Sequence, residues 1–362
     1  MPVEMPLSND VFEVKRMLSA TLLSAGAERG VVGKSRTLSV MAASATAGNN
    51  VHAVGVGHKI VEGRLTEEPC VRLYVVQKLA KSLLPEGAIL PSAIDGIPTD
   101  VIESPPAFFL PSVPHAASAS ASAAVAPCSS FRRSRQRPVM AGISSAHVNV
   151  TAGTIACFCT STREGDDVET VYALSNNHVF ADLNKAQIGD DLLQHSPNDG
   201  GTSPDRFAVL HRFVPIQLGG QQPNRVDAAI GNVLPDVQVD RQICTIGRLS
   251  GTDTAFENMK VCKHGRTTGY TEGIVFDPSI DSLVGMDHND PTIVALFQNQ
   301  LRINVAPSFS SFGLGGDSGS LVVDRESHAA VGLYNAGPAS GQYGLANRIE
   351  DVLGQMQIKL LT

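Results

Sequence analysis

The chain has 362 residues, 43% of them hydrophobic and 17% charged, with 33 Gly and 21 Pro. Small, apolar and turn-forming residues in that proportion favour many short strands over long charged helices. A formal net charge of -7 argues against nucleic acid as the main partner, and no run approaches the roughly 20 apolar residues of a membrane span, which points to a soluble protein.

Residues 1–48 form a weakly patterned lead, much of it expected to be poorly ordered, in which Asp10 to Ala27 could be one helix. Lys15-Arg16 precedes a short apolar stretch, but Glu4, Asp10 and Glu13 stand before it, unlike the basic start of a secretory signal. Residues 49–104 read as a small α+β unit. Val51 to Val61 alternates like a strand, Val71 to Val76 is a second, and Ile97 to Ile102 is a third after a Pro-bounded connection. Gly55-x-Gly57 lacks the third glycine and following helix of a phosphate loop, so it reads as close backbone packing within a strand. His52 and His58 read as ordinary surface or core histidines. A unit of about 55 residues is near the lower limit of independent stability, which makes a homo-oligomer built through its apolar edge plausible.

Residues 105–137 are a linker in composition, Pro105 to Pro127 being rich in Pro, Ala and Ser without periodicity. It ends in Arg132, Arg133, Arg135 and Arg137. A solvated hinge is the default reading of such a charge block, with a processing site, a localisation signal or an anion-binding patch also open.

From residue 138 to 362, short apolar runs recur between Gly, Pro, Asn and Asp clusters. Examples are Gly153 to Phe158, Val171 to Leu174, Asp227 to Ile230, Gly273 to Phe276, Leu301 to Val305, Ser320 to Val323 and Ala330 to Tyr334. That is an all-β module of about 225 residues, sized for two barrels, closed by a possible helix from Arg348 to Leu360. The six cysteines (Cys70, Cys128, Cys157, Cys159, Cys244, Cys262) make no CxxC pair and have no His at zinc-finger spacing, so no metal is expected. Buried free thiols are the preferred reading, and a reducing, cytoplasmic setting fits them. No cofactor signature is present either, since the turn Gly265 to Gly269 has no P-loop lysine after it.

The chemistry centres on Gly313-Leu314-Gly315-Gly316-Asp317-Ser318-Gly319-Ser320, a serine held between glycines at the entry to an apolar strand. Glycine permits a positive φ and lets backbone N–H groups approach a substrate carbonyl. An activated serine needs a base and a group to orient that base. His178, where the strand Val171 to Leu174 runs into a loop, can be the base. Asp227, at the start of another apolar run, can be the orienting carboxylate, partly buried and kept ionised by an imidazole N–H. His264 could approach a substrate but reads better as structural.

In order and spacing, His178, Asp227 and Ser318 resemble the triad of the trypsin/chymotrypsin-like serine proteases. LSNNHVFA is similar to the histidine segment of bacterial trypsin-like and HtrA-type members. VCKHGRTTGYTEGIV resembles a stretch of the α-lytic protease/streptogrisin branch, GGDSGSLVV the nucleophile motif, and YGLANRIEDVL the run into the C-terminal helix. Upstream, VGVGHKIVEG, VRLYVVQKL and IDGIPTDV resemble the N-terminal unit of a group of bacterial trypsin-like proteins and of plant NARROW LEAF-type proteins.

The resemblance implies a chymotrypsin-like double six-stranded β-barrel preceded by the α+β unit, and a serine endopeptidase acting on peptide or protein substrates. It implies Ser318 as nucleophile, His178 as general base and acid, Asp227 as orienter, and the N–H groups of Gly316 and Ser318 as the oxyanion hole. Asn335, Ala336 and Gly337 would pair with the substrate backbone. Phe312 would lie at the base of the primary specificity pocket, where an aromatic in place of Asp implies a small or apolar residue before the scissile bond. Two family cysteines are replaced, by Val179 and by Glu272, which leaves Cys262 without its bridge. The Asp before the serine pairs with a new N-terminal amine in relatives that mature by cleavage. The corresponding bond here precedes Pro138, so Asp317 is expected to be satisfied internally. Two other classes stay open: a gated or vestigial protease-fold scaffold for protein binding, and a structural or oligomer-forming protein whose N-terminal unit is the working part.

Overall fold

The computed structural model describes residues 7–27, 50–84, 89–110, 127–287 and 293–362. The chain is mainly β, and its first helix, Asn9–Ala27, shows why the amino-terminal lead is not simply a tail. Val11, Val14 and Leu18 lie along one stripe of that helix, and together with Leu23 they are buried against the strand Val51–Val61 and its neighbours. Lys15 falls in the same stripe. Its ammonium donates to Asp281 and, at 3.1 Å, to the Ser279 hydroxyl, both on the long strand Gly269–Gly285. The expected disorder of the lead is therefore corrected for this helix, because its apolar stripe has a sheet face to cover. Residues 28–48 of that expectation lie outside the described residues.

Val51–Val61 turns through Glu62 and Gly63, both at positive φ (51° and 78°), into the antiparallel strand Arg64–Val75. Two successive positive φ values match the right-handed twist of a hairpin. The strand Ile97–Glu103 then adds in parallel to Arg64–Val75, with Leu73 opposite Val101. On its other edge Val51–Val61 pairs with Gly269–Gly285, Val54 opposite Asp281 and Gly55 opposite Ile280. The amino-terminal strands thus continue a sheet of the carboxy-terminal region. In that sheet Gly269–Gly285 is flanked by Val294–Val305 and Lys260–Gly265, and Leu321–Asp324, Ala329–Ala336 and Tyr343–Arg348 follow.

Gly55 and Gly57 sit where this junction is tightest. A Cβ on Gly57 would enter the Arg72 guanidinium, and one on Gly55 would enter the Asp277 carboxylate. Arg72 is fully buried there and reaches Glu257 at 2.6 Å, Asp277 at 3.4 Å and the carbonyls of His58 and Phe276 at 2.6 Å each. A buried guanidinium whose two terminal nitrogens are engaged in this way ties the two halves of the chain together; removing one member would leave charge stranded in the interior.

A second sheet runs in the order Ile358–Leu360, Cys157–Ser161, Tyr172–Ser175, Ala229–Val233, Arg206–Phe213, Asp191–Leu193, Ser144–His147, Gly153–Thr154. Its core gathers Phe158, Leu174, Phe180, Phe207 and Ile230, while the other sheet buries Val275, Leu301, Ile303, Phe312 and Val331. The terminal helix is Ile349–Met356, shorter than the sequence suggests. Past Gln357, at φ 49°, the chain returns as a strand beside Cys157–Ser161, so Ile349, Val352 and Met356 close the core.

Two expectations are overturned. Cys128 and Cys244 form a disulfide, leaving Cys70, Cys157, Cys159 and Cys262 as buried free thiols. Cysteines 116 residues apart offer no local signal of pairing. The arginine block is not a solvated hinge. Arg132 and Arg133 donate to the carbonyl of Arg266 at 3.1 Å each and to that of Thr267 at 3.2 and 3.3 Å, and Arg137 donates to Gln194 Oε1 at 2.7 Å. Backbone carbonyls left open by the 265–269 turn supply the acceptors that a charge block otherwise finds in water. Cys262 stands directly opposite Glu272, which is held by Tyr270 and Arg325 where a bridge would otherwise lie.

Candidate active site

Strand pairing alone brings His178 and Asp227 together. Tyr172–Ser175 and Ala229–Val233 are antiparallel neighbours with Ser175 opposite Ala229, so the residues just past one strand meet those just before the other. His178 lies in the short helix Asn177–Phe180, a refinement of the expected loop. Its Nδ1 is 2.5 Å from Asp227 Oδ2, and its backbone N–H donates to Oδ1 at 3.2 Å. Asp227 is fully buried. Its own backbone is fixed by asparagines: Asn176 donates to its carbonyl at 2.7 Å, and Asn347 accepts its N–H at 3.1 Å. Asn335 in turn donates to Asn347 at 3.3 Å.

Ser318 comes from the other sheet, on the turn that enters Leu321–Asp324. Gly316 and Gly319 take φ of 95° and 91°, values an L side chain rarely adopts. A Cβ on Gly319 would also collide with Ser175 Oγ and the Thr154 carbonyl. Thr154 clamps the turn, its N–H donating to the Ser318 carbonyl at 2.8 Å and its hydroxyl to that of Gly316 at 3.0 Å. Ser318 Oγ donates to the Asn335 carbonyl at 3.4 Å, and among the described residues no hydrogen bond joins it to His178. The N–H groups of Gly316 and Ser318 likewise donate to no partner among the described residues. The turn thus carries two free donors beside a hydroxyl, and the histidine–aspartate pair stands at strand ends of the other sheet.

Asp317 is fully buried and satisfied from within the chain. It accepts from the N–H groups of Leu314 (2.9 Å), Thr267 (2.8 Å) and Thr268 (3.1 Å) and from the Thr268 hydroxyl (2.8 Å), with Lys263 Nζ at 3.5 Å. Burial alone would raise its pKa, but the Lys263 charge and the three N–H donors outweigh that and hold it below the ordinary carboxylate value. Burial lowers the Lys263 pKa, with Asp317 opposing that effect.

Phe312, expected at the floor of the specificity pocket, lies wholly within the core and meets Tyr334 edge-on at 6.0 Å. The Tyr334 ring fills the space above Gly313, where a Cβ would come within 2.6 Å of it. The sequence pattern did not single out Tyr334. His264 is fully buried with Nδ1 2.7 Å from the Gly142 carbonyl, and burial pushes its pKa down to about 4, so it acts as a structural group. Ala336 and Gly337 lie at the end of Ala329–Ala336, beside Ser318, and Gly337 pairs with Phe108 of the linker. Phe109 stacks on the His178 ring at 4.1 Å. That contact was missed, although Phe108-Phe109-Leu110 is an apolar cluster in a segment otherwise dominated by Pro, Ala and Ser. Among the described residues no three His, Cys, Asp or Glu side chains cluster as metal ligands would, and no helix is long and apolar enough to cross a membrane.

Neither a protein-family model nor a curated protein sequence matches the chain. Among solved structures it is similar to Thermobifida fusca protease A, with 15% identity and a TM-score of 0.43 over 62% of this chain and 98% of that one. A Nocardiopsis protease is similar at 16% identity and TM-score 0.43, over 62% and 99% of the two chains. The protease domain of MamO from Magnetospirillum magneticum is similar at 14% identity and TM-score 0.35, over 59% and 95%. These neighbours are trypsin/chymotrypsin-like serine proteases.

Proposed function

We propose that the chain is a serine endopeptidase in which Ser318 attacks a peptide carbonyl and forms an acyl-enzyme. What carries the reading is the 2.5 Å contact between His178 and the buried Asp227, together with a serine on a turn that leaves the N–H groups of Gly316 and Ser318 without a partner among the described residues. In this reading the Ser318 hydroxyl turns from the Asn335 carbonyl towards His178 Nε2, which takes its proton as Oγ bonds to the carbonyl carbon. Asp227 keeps the imidazole in the tautomer with a proton on Nδ1 and stabilises the imidazolium that forms. The N–H groups of Gly316 and Ser318 receive the developing oxyanion, each such donor being worth about 10²–10³ in rate. His178 then protonates the leaving amine, and water, activated by the same base, frees the acyl group.

The finer architecture belongs to the same proposal: two six-stranded barrels over residues 138–362, preceded by an α+β unit at 49–104 and a linker at 105–137. Phe312 at the position that the resemblance gives to the base of the primary pocket, an aromatic in place of Asp, favours a small or apolar residue before the scissile bond. A cytoplasmic setting and assembly through the amino-terminal unit remain part of the proposal, although the Cys128–Cys244 bridge removes two of the six thiols that argued for a reducing compartment.

A gated scaffold is the second reading, and the aromatic ring lying on His178 favours it. Fluorophosphonate labelling of the wild type beside Ser318→Ala and His178→Ala tests the main reading. Labelling at Ser318 that depends on His178 supports a working triad. A folded wild type that takes no label under any condition refutes it.

A further inference from the structure

The described part of the linker does not behave as a spacer. Ser104 is anchored by its carbonyl to His52 at 2.9 Å and by its hydroxyl to Arg302 at 3.1 Å, and the Pro105 carbonyl accepts from the Tyr343 hydroxyl at 2.8 Å. From there Ala107–Phe108 runs as a short strand into the cleft. Phe108 and Gly337 exchange both backbone hydrogen bonds, at 3.0 and 3.2 Å, in an antiparallel bridge. Phe109 donates its N–H to the Gly285 carbonyl at 2.9 Å, lays its ring on His178 at 4.1 Å and 25°, and touches Phe297 at a centroid distance of 5.9 Å. It is only 7% exposed.

Paired extended backbone at Gly337, just past the end of Ala329–Ala336, with a side chain over the catalytic imidazole, is what a bound peptide would present to this site. We infer that residues 107–110 are an intramolecular occupant of the substrate groove, and that Phe108-Phe109-Leu110 reports the substrate class: an extended peptide with aromatic residues third and second before the scissile bond and an aliphatic residue at that bond. The inference rests on the peptidase reading for the meaning of the groove. The register follows from the contacts. With Phe108 on Gly337 and Phe109 on His178, Leu110 is the next residue along the chain and the one whose carbonyl the nucleophile would meet. Leu110 is followed in the sequence by Pro111. A bond to proline has no N–H and a rigid ring on its nitrogen, so a segment held in this register blocks the site without being consumed.

The segment competes at the effective concentration of a tethered ligand, which reaches millimolar for short tethers. Displacing it should therefore open the groove. The test uses the full chain carrying Ser318→Ala, so that binding is read without turnover. It is compared with the same protein also carrying Phe108→Pro, which removes the N–H donated to Gly337, or Phe109→Ala, which removes the ring from His178. The probe is a synthetic peptide acid ending Ala-Phe-Phe-Leu with a fluorophore at its amino end, followed by anisotropy. At least tenfold tighter binding by both displaced variants, with a matched peptide ending Ala-Asp-Asp-Leu binding none of them, is expected. Equal binding by the parent and both variants, or no binding by any of the three, overturns the inference. Fluorophosphonate labelling of the same two substitutions on the Ser318 background separates the readings. If the binding difference is present and no variant takes label, the groove occupant stands and the peptidase reading falls.

Discussion

Replacing Lys263 by methionine tests how the nucleophile turn is held. The ammonium is fully buried, lies 3.5 Å from Asp317 Oδ2 and donates to Thr268 Oγ1 at 2.8 Å; that hydroxyl in turn donates to Asp317. Methionine keeps most of the side-chain volume and removes the charge. Stranding one partner of a buried ion pair typically costs about 3–5 kcal/mol. Asp317 retains three N–H donors and a hydroxyl, so the low end, about 3 kcal/mol, is expected. For a cooperative unit of this size that corresponds to a fall in Tm of roughly 6–12 °C.

The acid limb supplies a second readout. The folded Asp317 pKa lies below its ordinary value, so its contribution to stability is complete above the unfolded pKa of about 3.9 and is lost as pH falls through the folded value. Without Lys263, burial is less opposed and the folded pKa rises, so the variant should lose stability at a higher pH than the wild type. Calorimetric melts from pH 3 to 7 measure both. A Tm within about 2 °C of wild type and an unmoved acid limb would refute the claim that the Lys263 charge helps hold Asp317 ionised in the core.

Other predictions follow from single contacts. Asp227→Asn should preserve the fold and lower peptide hydrolysis by about 10⁴-fold, because the amide favours the wrong imidazole tautomer; a rate within tenfold of wild type would sink the triad assignment. Gly319→Ala should abolish fluorophosphonate labelling and lower thermal stability, since its backbone stands at φ 91° and its Cβ would collide with Ser175 and Thr154. Thiol titration of protein unfolded without reductant should count four cysteines, rising to six after reduction; six at the outset would exclude the Cys128–Cys244 bridge. Arg72→Met should loosen the junction between the amino-terminal strands and Gly269–Gly285, read as faster amide exchange in Val51–Val61.

Much of the site was readable because its signals are local. The alternating apolar runs around Val171 and Ala228, and the glycines bracketing Ser318, mark strand ends and a tight turn without reference to anything distant. The supporting groups were less readable. Asn347 and Thr154 matter through hydrogen bonds to backbone groups far along the chain, and an isolated Asn or Thr carries no pattern. The run Gly153 to Phe158 divides into Gly153–Thr154 and Cys157–Ser161, since its first two residues pair with Ser144–His147 and buttress the Ser318 turn while the later ones pair with Tyr172–Ser175.

By itself the sequence determined that the chain is mainly β, and it singled out His178, Asp227 and Ser318 as candidates. Those depend on period-two burial and on glycine's backbone freedom, both written in a few adjacent residues. Tertiary structure alone decided that the first helix docks through Lys15 on Asp281, that Cys128 pairs with Cys244, and that the linker enters the cleft with Phe109 on His178. Each joins residues well separated in the chain, 266 positions apart in the first case and 116 in the second. Whether such residues meet depends on how two sheets twist and close on one another, which no local pattern encodes.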